Sequence, residues 1–185
     1  MGKGEKGEKE MNTDFSKQNG YETLTTNIIH RSFKQGKNCK IGNFCVIEED
    51  VIIGDNVDIQ NYVLLRKGTR IGNDCYVDSY FRSSGDNEIG NGVTLRFGST
   101  IARKVFVRDN VFIAPNVMTV YSLPDGTKSA ATVIGEGAFI GTAAVLAPNI
   151  AIMSGSIIGA NSFVNKPILE KGIYVGNPAK LLRRL

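Results

Sequence analysis

IGDNVDIQNYVLLRKGTRIGNDCYV, residues 53–77, carries an aliphatic side chain at every sixth position: Ile53, Ile59, Leu65, Ile71 and Val77. The series runs back through Ile47 to Ile41 and forward through Ser83, Ile89, Leu95, Ile101 and Val107 to Ile113, with Ser83 its single polar member. A second series, Ile134, Ile140, Leu146, Ile152, Ile158 and Val164, keeps the period and shifts the phase. Ile, Leu and Val make up roughly a quarter of the chain, too few for chance to sustain such a run. A strict six-residue repeat marks a parallel β-helix, in which each repeat contacts only its neighbours and the core is a column.

With three hexapeptides to a coil, as in known hexapeptide folds, residues eighteen apart stack, and the corners support this spacing independently. One corner reads Gly36-Lys37-Asn38, Gly54-Asp55-Asn56, Gly72-Asn73-Asp74, Gly90-Asn91-Gly92 and Arg108-Asp109-Asn110. Gly, Asn and Asp tolerate the positive φ that a tight corner demands. After Ile113 the next repeat position is Thr119, and the next aliphatic one, Ile134, comes fifteen residues later. If Ile134 occupies the Gly-Asn corner face, about nine residues are extra, and 120–132 (VYSLPDGTKSAAT) leaves the helix as a loop. Loops on a rigid scaffold are where function concentrates.

The expected organisation is a disordered or loosely docked segment over 1–27, a β-helix domain over 28–169 and a C-terminal cap over 170–185. MGKGEKGEKE (1–10) is low-complexity and apolar-free, so disorder is expected. Met11 offers a second start, and Tyr21 and Leu24 could form one docking turn. The last residues, rich in Leu and Arg, are expected to form a short basic helix.

At 185 residues the chain makes one domain of ordinary size. The net charge of +4 is modest, and Lys and Arg alternate with Asp and Glu, so no face is set out for nucleic acid. No window approaches a membrane-spanning length and no apolar signal region opens the chain, so a soluble cytoplasmic protein is expected. Cys39, Cys45 and Cys75 each fall four residues after a repeat position, where small inward side chains sit elsewhere. The expected role is a reduced core thiol, with a nucleophile or metal ligand as the alternative.

IGDNV (53–57), IGNDC (71–75), IGNGV (89–93), IGEGAFIGTAAVL (134–146) and YVGNPAKLL (174–182) resemble the hexapeptide-repeat acyltransferases over about residues 35–183. The resemblance implies an all-β, left-handed parallel β-helix of about seven coils with one projecting loop. It also implies a homotrimer that binds acetyl-CoA in the groove between neighbouring helices. CVIEEDVIIGDNVDIQNYV (45–63) is most similar to the nucleotide-sugar N-acetyltransferases of bacterial surface-glycan synthesis. Residues 89–116 also resemble the galactoside and maltose O-acetyltransferases.

Many members of that family use a His near the loop as general base. The one His here, His30, lies five coils from the loop, about 24 Å at strand spacing. The position usual in the O-acetyltransferases falls near Leu123 or Pro124, and neither takes a proton. Three His ligands for a zinc carbonic anhydrase are lacking, and no metal is expected. A sugar hydroxyl needs a base, whereas a neutral amine reacts by positioning and oxyanion stabilisation. The resemblance and the missing base together imply an acetyl-CoA-dependent acetyltransferase acting on the amino group of a nucleotide-linked sugar. The alternatives are a sugar O-acetyltransferase and a catalytically inactive β-helix scaffold.

Eighteen-residue stacking places Lys67, Gly85, Arg103 and Tyr121 in one column beneath the loop, beside Gly68, Asp86, Lys104 and Ser122. Arg82, Asp86, Arg96 and Arg103 are the expected acceptor-binding residues, with Tyr121 and the loop's Asp125 as catalytic groups. Arg side chains would hold a pyrophosphate or a carboxylate through paired contacts. The alternative is a solvated corner with an Asp86–Lys104 ion pair. Asn61 matches a position that some relatives use near the acceptor, but it reads as a turn residue, and by distance from the loop its equivalent is Phe97. By resemblance the pantetheine arm of acetyl-CoA falls on Gly141, Thr142, Ala143, Ala144, Gly159 and Ala160. Lys166, Lys180, Arg183 and Arg184 would meet its phosphates or serve only solubility.

Overall fold

The computed structural model describes residues 21–24, 26–122, 126 and 131–185, and every regular element among them is a strand. Asp125, Leu123 and Pro124 lie outside the described residues, as does the segment 1–20. Short strands, most of two residues, wind into three flat faces. Face 1 stacks Asn27–His30, Val46–Ile47, Leu64–Leu65, Arg82–Ser83, Thr100–Ile101, Met118–Thr119, Val145–Leu146 and Phe163–Val164. Face 2 runs from Lys34–Gln35 to Ala151–Ile152, and face 3 from Lys40–Ile41 to Gly172–Val175. Faces 1 and 3 carry eight parallel rungs and face 2 seven, so the molecule has between seven and eight coils.

The register is eighteen residues through the first part of the helix: Ile53 pairs with Ile71, Ile59 with Val77, and Leu65 with Ser83. Across the phase break it becomes twenty-seven, with Val107 beside Ile134 and Ile113 beside Ile140. The difference, 27 − 18, is the nine extra residues expected. Thr132, the last residue of the expected loop, is already in the strand Thr132–Ile134 and is buried. The loop therefore leaves face 1 after Met118–Thr119 and returns to face 2 at Thr132.

Each repeat position points inward. Ile47, Leu65, Leu95, Ile101, Ile113, Ile134, Ile140, Leu146 and Ile158 are all under 2 % exposed. Fully burying one such side chain stabilises the fold by about 1.5–3 kcal/mol, which makes the column the dominant favourable term.

The corners divide their work between two positions. Third residues take the left-handed conformation, with φ of 56° at Asn38, Asn56 and Asp74 and 57° at Asn110. The first-position glycines serve a different need, because the next coil lies directly against them. A Cβ on Gly54 would sit 2.8 Å from the Gly72 carbonyl carbon and 2.3 Å from Asn73 Oδ1. Between them the second residues form a ladder: backbone N–H groups of Lys37, Asp55, Asn73 and Asn91 donate to the side-chain Oδ1 of Asp55, Asn73, Asn91 and Asp109, at 2.7–2.8 Å.

The C-terminal cap is a hairpin, not the short helix expected. Gly172–Val175 adds a parallel rung beside Ile157–Ile158, and Lys180–Arg184 folds back antiparallel onto it. Gly176, at φ 100°, turns the chain, and its N–H donates to Ser162 Oγ at 3.0 Å. A free edge of sheet lies where the chain ends, and pairing with it satisfies backbone groups that a detached helix would leave unpaired. At the other end, Tyr21–Leu24 pairs antiparallel with the first rung, Asn27–His30. Gly54→Ala should fold poorly, losing about 1–3 kcal/mol of stability through the contact with the Gly72 backbone. Chemical denaturation reads this directly, and unchanged stability would contradict the close coil contact.

Candidate functional site

Two corners flank face 1, and they differ in chemistry. The corner from face 1 to face 2 is charged. Lys67 Nζ lies 2.8 Å from Glu49 Oε1, Arg66 Nε 3.9 Å from Glu48 Oε1, and Arg103 Nη1 3.6 Å from Asp86 Oδ2. The hydrogen bond and charge of Lys67 pull the Glu49 carboxyl below its usual range, and Glu49 in turn raises the Lys67 ammonium. All of these groups reach solvent, where such pairs add little stability.

Asp86 therefore pairs with Arg103 and not with Lys104. The guanidinium reaches down one coil past Gly85, where a Cβ would be in ordinary contact with Arg103 Nη2 at 3.6 Å. Tyr121 packs against the core at the root of the loop. The structure thus brings Asp86 and Arg103 together and sets Tyr121 one coil above Arg103.

Arg82 and Arg96 are elsewhere. Arg82 projects from face 1 into a shallow depression of about 420 Å³ shared with Leu64, Arg66, Ser84, Thr100 and Met118. The Thr100 hydroxyl oxygen is buried at this depression without a hydrogen-bond partner among the described residues. Arg96 belongs to the opposite corner, where it pairs with Asp78 at 3.2 Å and lies over the Tyr76 ring. Arg66 is the residue that a search for columns under the loop passes over. Its signal is the same arithmetic one step aside, since it stands eighteen residues before Ser84.

The corner from face 3 to face 1 changes character along its length. In the lower coils it carries the exposed rings of Phe44, Tyr62, Tyr80 and Phe97, with successive centroids 5.0, 4.9 and 5.3 Å apart. Phe44, Tyr62 and Tyr80 hold φ of 58–62°, a conformation bulky residues rarely adopt, and ring stacking helps offset its cost. From the coil that ends in the loop upward, the same places hold Pro115-Asn116, Thr142-Ala143 and Ala160-Asn161. Gly141 to Ala144 and Gly159 to Ala160 lie in consecutive coils, and a Cβ on Gly141 would come 2.6 Å from the Ala160 nitrogen. The wall of rings thus gives way to a small-residue corner at the height of the loop.

Of the expected phosphate contacts, Lys180 pairs in register with Val175, whose side chain packs on Gly159. Lys166 follows Val164 at the far edge of face 1, with Arg183 and Arg184 farther along the hairpin. Asn61 Oδ1 accepts the Asn43 N–H at 2.8 Å, so it ties two coils together at the corner from face 3 to face 1. His30 is tied to Ser32 through a 2.8 Å contact in the first coil.

Comparison with known proteins agrees with this architecture. The GMPPB C-terminal domain family matches residues 23–127, and the bacterial transferase hexapeptide family (six repeats) matches residues 131–166. The chain belongs to the GMPPB C-terminal domain family and carries bacterial transferase hexapeptide repeats beyond that match, and its fold is the left-handed parallel β-helix. It is 32% identical over 98 residues to a protein of Escherichia coli carrying the name lipopolysaccharide biosynthesis O-acetyl transferase WbbJ, covering 50% of each chain. It is 35% identical over 74 residues to a chloramphenicol acetyltransferase of Agrobacterium fabrum, covering 40% of this chain and 35% of that one. The chain thus spans half or less of the length of these curated relatives. A UDP-N-acetylglucosamine acyltransferase from Campylobacter jejuni has the same fold, with a TM-score of 0.58 and 15% identity over 85% of this chain and 73% of that one.

The cysteines stand apart from both corners' chemistry. Each thiol donates to a carbonyl of the coil above: Cys39 to Gly54, Cys45 to Gln60 and Cys75 to Gly90, all at 3.1 Å. Burial raises the Cys45 thiol and pushes Cys75 up to about 11. Below its ordinary value the Cys75 thiol is neutral in both states, and above it the folded state resists ionisation. Iodoacetamide at pH 8 should therefore leave Cys45 and Cys75 unlabelled in the native protein and label both in urea. Rapid native labelling of Cys75 would contradict this placement.

Proposed function

We propose that the protein transfers an acetyl group from acetyl-CoA to the amino group of a nucleotide-linked sugar, acting in the cytoplasm as a homotrimer. The observation that carries this reading is the pairing of a small-residue corner, beginning at the height of the loop, with a charged corner on the other edge of the same face. Gly141, Thr142, Ala143, Ala144, Gly159 and Ala160 let a pantetheine arm approach the backbone, with Lys180 near its phosphate end. Arg103 and Asp86 bind the acceptor with Arg82 nearby, while Tyr121 and Asp125 act on the reacting groups. Arg96 has a weaker claim, since it stands at the other edge of face 1.

The two corners are separated by the width of face 1, roughly 16 Å for five residues at about 3.3 Å each. One chain cannot bring them together. A second copy related by a threefold axis sets the charged corner of one chain against the small-residue corner of the next, which favours a trimer.

Transfer to an amine fits the position of the single histidine, held to Ser32 far from the loop. A neutral amine attacks the thioester once it is held in line, and donors around the developing oxyanion lower the barrier. A sugar hydroxyl as acceptor is the second reading, favoured by the name of the Escherichia coli relative. The test is thiol release from acetyl-CoA against amino- and hydroxy-sugar nucleotides, with simple sugars as controls. Turnover with amino-sugar nucleotides alone is expected, and Arg103→Ala should raise the acceptor KM about tenfold while leaving acetyl-CoA affinity unchanged. Turnover confined to hydroxyl acceptors would overturn N-acetylation, and no acetyl-CoA binding would overturn the enzyme reading.

A further inference from the structure

The inside of the charged corner departs from the repeat. Face 1 directs Ile47, Leu65, Ile101, Leu146 and Val164 into the core, but in two coils the same column holds Ser83 and Thr119, 1 % and 3 % exposed. Thr69 and Asn87, both fully buried, stand in consecutive coils of a column that holds Val51 below them and Val105 above. Polar groups in an apolar column are costly unless hydrogen-bonded, and these are bonded to one another and to one particular residue.

Thr69 and Ser83 share a 2.5 Å hydroxyl contact, and Ser83 Oγ donates to Asn87 Oδ1 at 2.5 Å. Asn87 Nδ2 donates to the Ala102 carbonyl, and the Ala102 N–H donates to Thr119 Oγ1 at 2.6 Å. Both backbone polar groups of Ala102 are thus held by side chains from inside. For the N–H, the backbone does this at the equivalent place elsewhere: Glu48 N–H donates to the Leu65 carbonyl and Ser84 N–H to that of Ile101, each at 2.9 Å. The sheet records the change. Thr100–Ile101 and Met118–Thr119 share one register pair, Thr100 with Met118, whereas the rungs on either side share two.

The members of this internal chain are neighbours of the candidate site residues. Asp86 precedes Asn87 and follows Gly85, whose N–H donates to Ser83 Oγ at 3.1 Å. Arg103 follows Ala102, and Tyr121 is two residues past Thr119 at the root of the loop. We infer that Thr119, Asn87 and Ser83 are positioning residues: they hold the Ala102 peptide from the core and so fix Asp86, Arg103 and Tyr121 on the outside. This rests on the reading of that corner as the acceptor site.

Thr119→Val tests it. The Ala102 N–H can then return to the Thr119 carbonyl, as in the other coils, so the variant folds with an unchanged or raised Tm. The expected result is a rise of about tenfold in acceptor KM, with acetyl-CoA KM unchanged and wild-type behaviour restored in Thr119→Ser, which keeps the hydroxyl. A wild-type KM in Thr119→Val, beside a raised KM in Arg103→Ala, overturns the positioning role and leaves the acceptor reading standing. If Arg103→Ala also has no effect, or no acceptor turns over, the acceptor reading fails. Amide exchange at Ala102 and Arg103 then decides: faster exchange in Thr119→Val than in Thr119→Ser supports the positioning role, and equal exchange overturns it. A lowered Tm with unchanged KM and unchanged exchange also overturns it.

Discussion

Every coil of this protein is held by the coil above it, and the stacking of residues eighteen apart is the constraint on which everything else depends. Backbone N–H groups of one coil donate to carbonyls of the next along all three faces, as from Asp58 to Cys75 and from Tyr76 to Val93. A slip of one residue would turn the aliphatic column outward and the polar set inward, so the hydrophobic pattern locks the register. The same register aligns the corners. That is why Gly54 needs no side chain, why Asn73 reaches the backbone of Asp55, and why the thiol of Cys75 finds the Gly90 carbonyl.

A solenoid so regular makes its exceptions conspicuous, and they gather in one region. Nine extra residues leave face 1 after Thr119, a polar chain enters the core at Ser83, Asn87 and Thr119, and one register pair gives way to a side-chain contact. On the other edge of face 1 the row of stacked rings ends at Phe97, and the residues above it shrink. Sequences tend to break their local rules where function requires it. Here the breaks coincide in height with the root of the loop.

Most of the fold was legible because it is periodic. The spacing of Ile53, Ile59 and Leu65 gives the column, and the distance from Ile113 to Ile134 gives the size of the inserted loop before any coordinate is seen. The cap was not legible in that way. LLRRL has no repeat partner, and its strand conformation comes from the free edge at Gly172–Val175. The Arg103–Asp86 pair was half legible, since stacking places Asp86 below Lys104. Only the structure shows that Arg103, one residue aside, reaches the carboxylate. Ser83 stood out as the polar exception in its series, but its partners Asn87 and Ala102 meet only through the winding of the coil.

We propose that a charged corner on one chain and a small-residue corner on another complete a single site. Mixing two impaired variants, assayed with acceptor well below its KM, tests it most directly. Arg103→Ala damages the charged corner, and Ala160→Trp fills the small-residue corner with an exposed indole. After the two are unfolded together and refolded into mixed trimers, thiol release from acetyl-CoA should rise above that of either parent, because some interfaces pair two intact corners. If mixed trimers form and are no faster than the average of the two parents, the site lies within one chain and this account is contradicted.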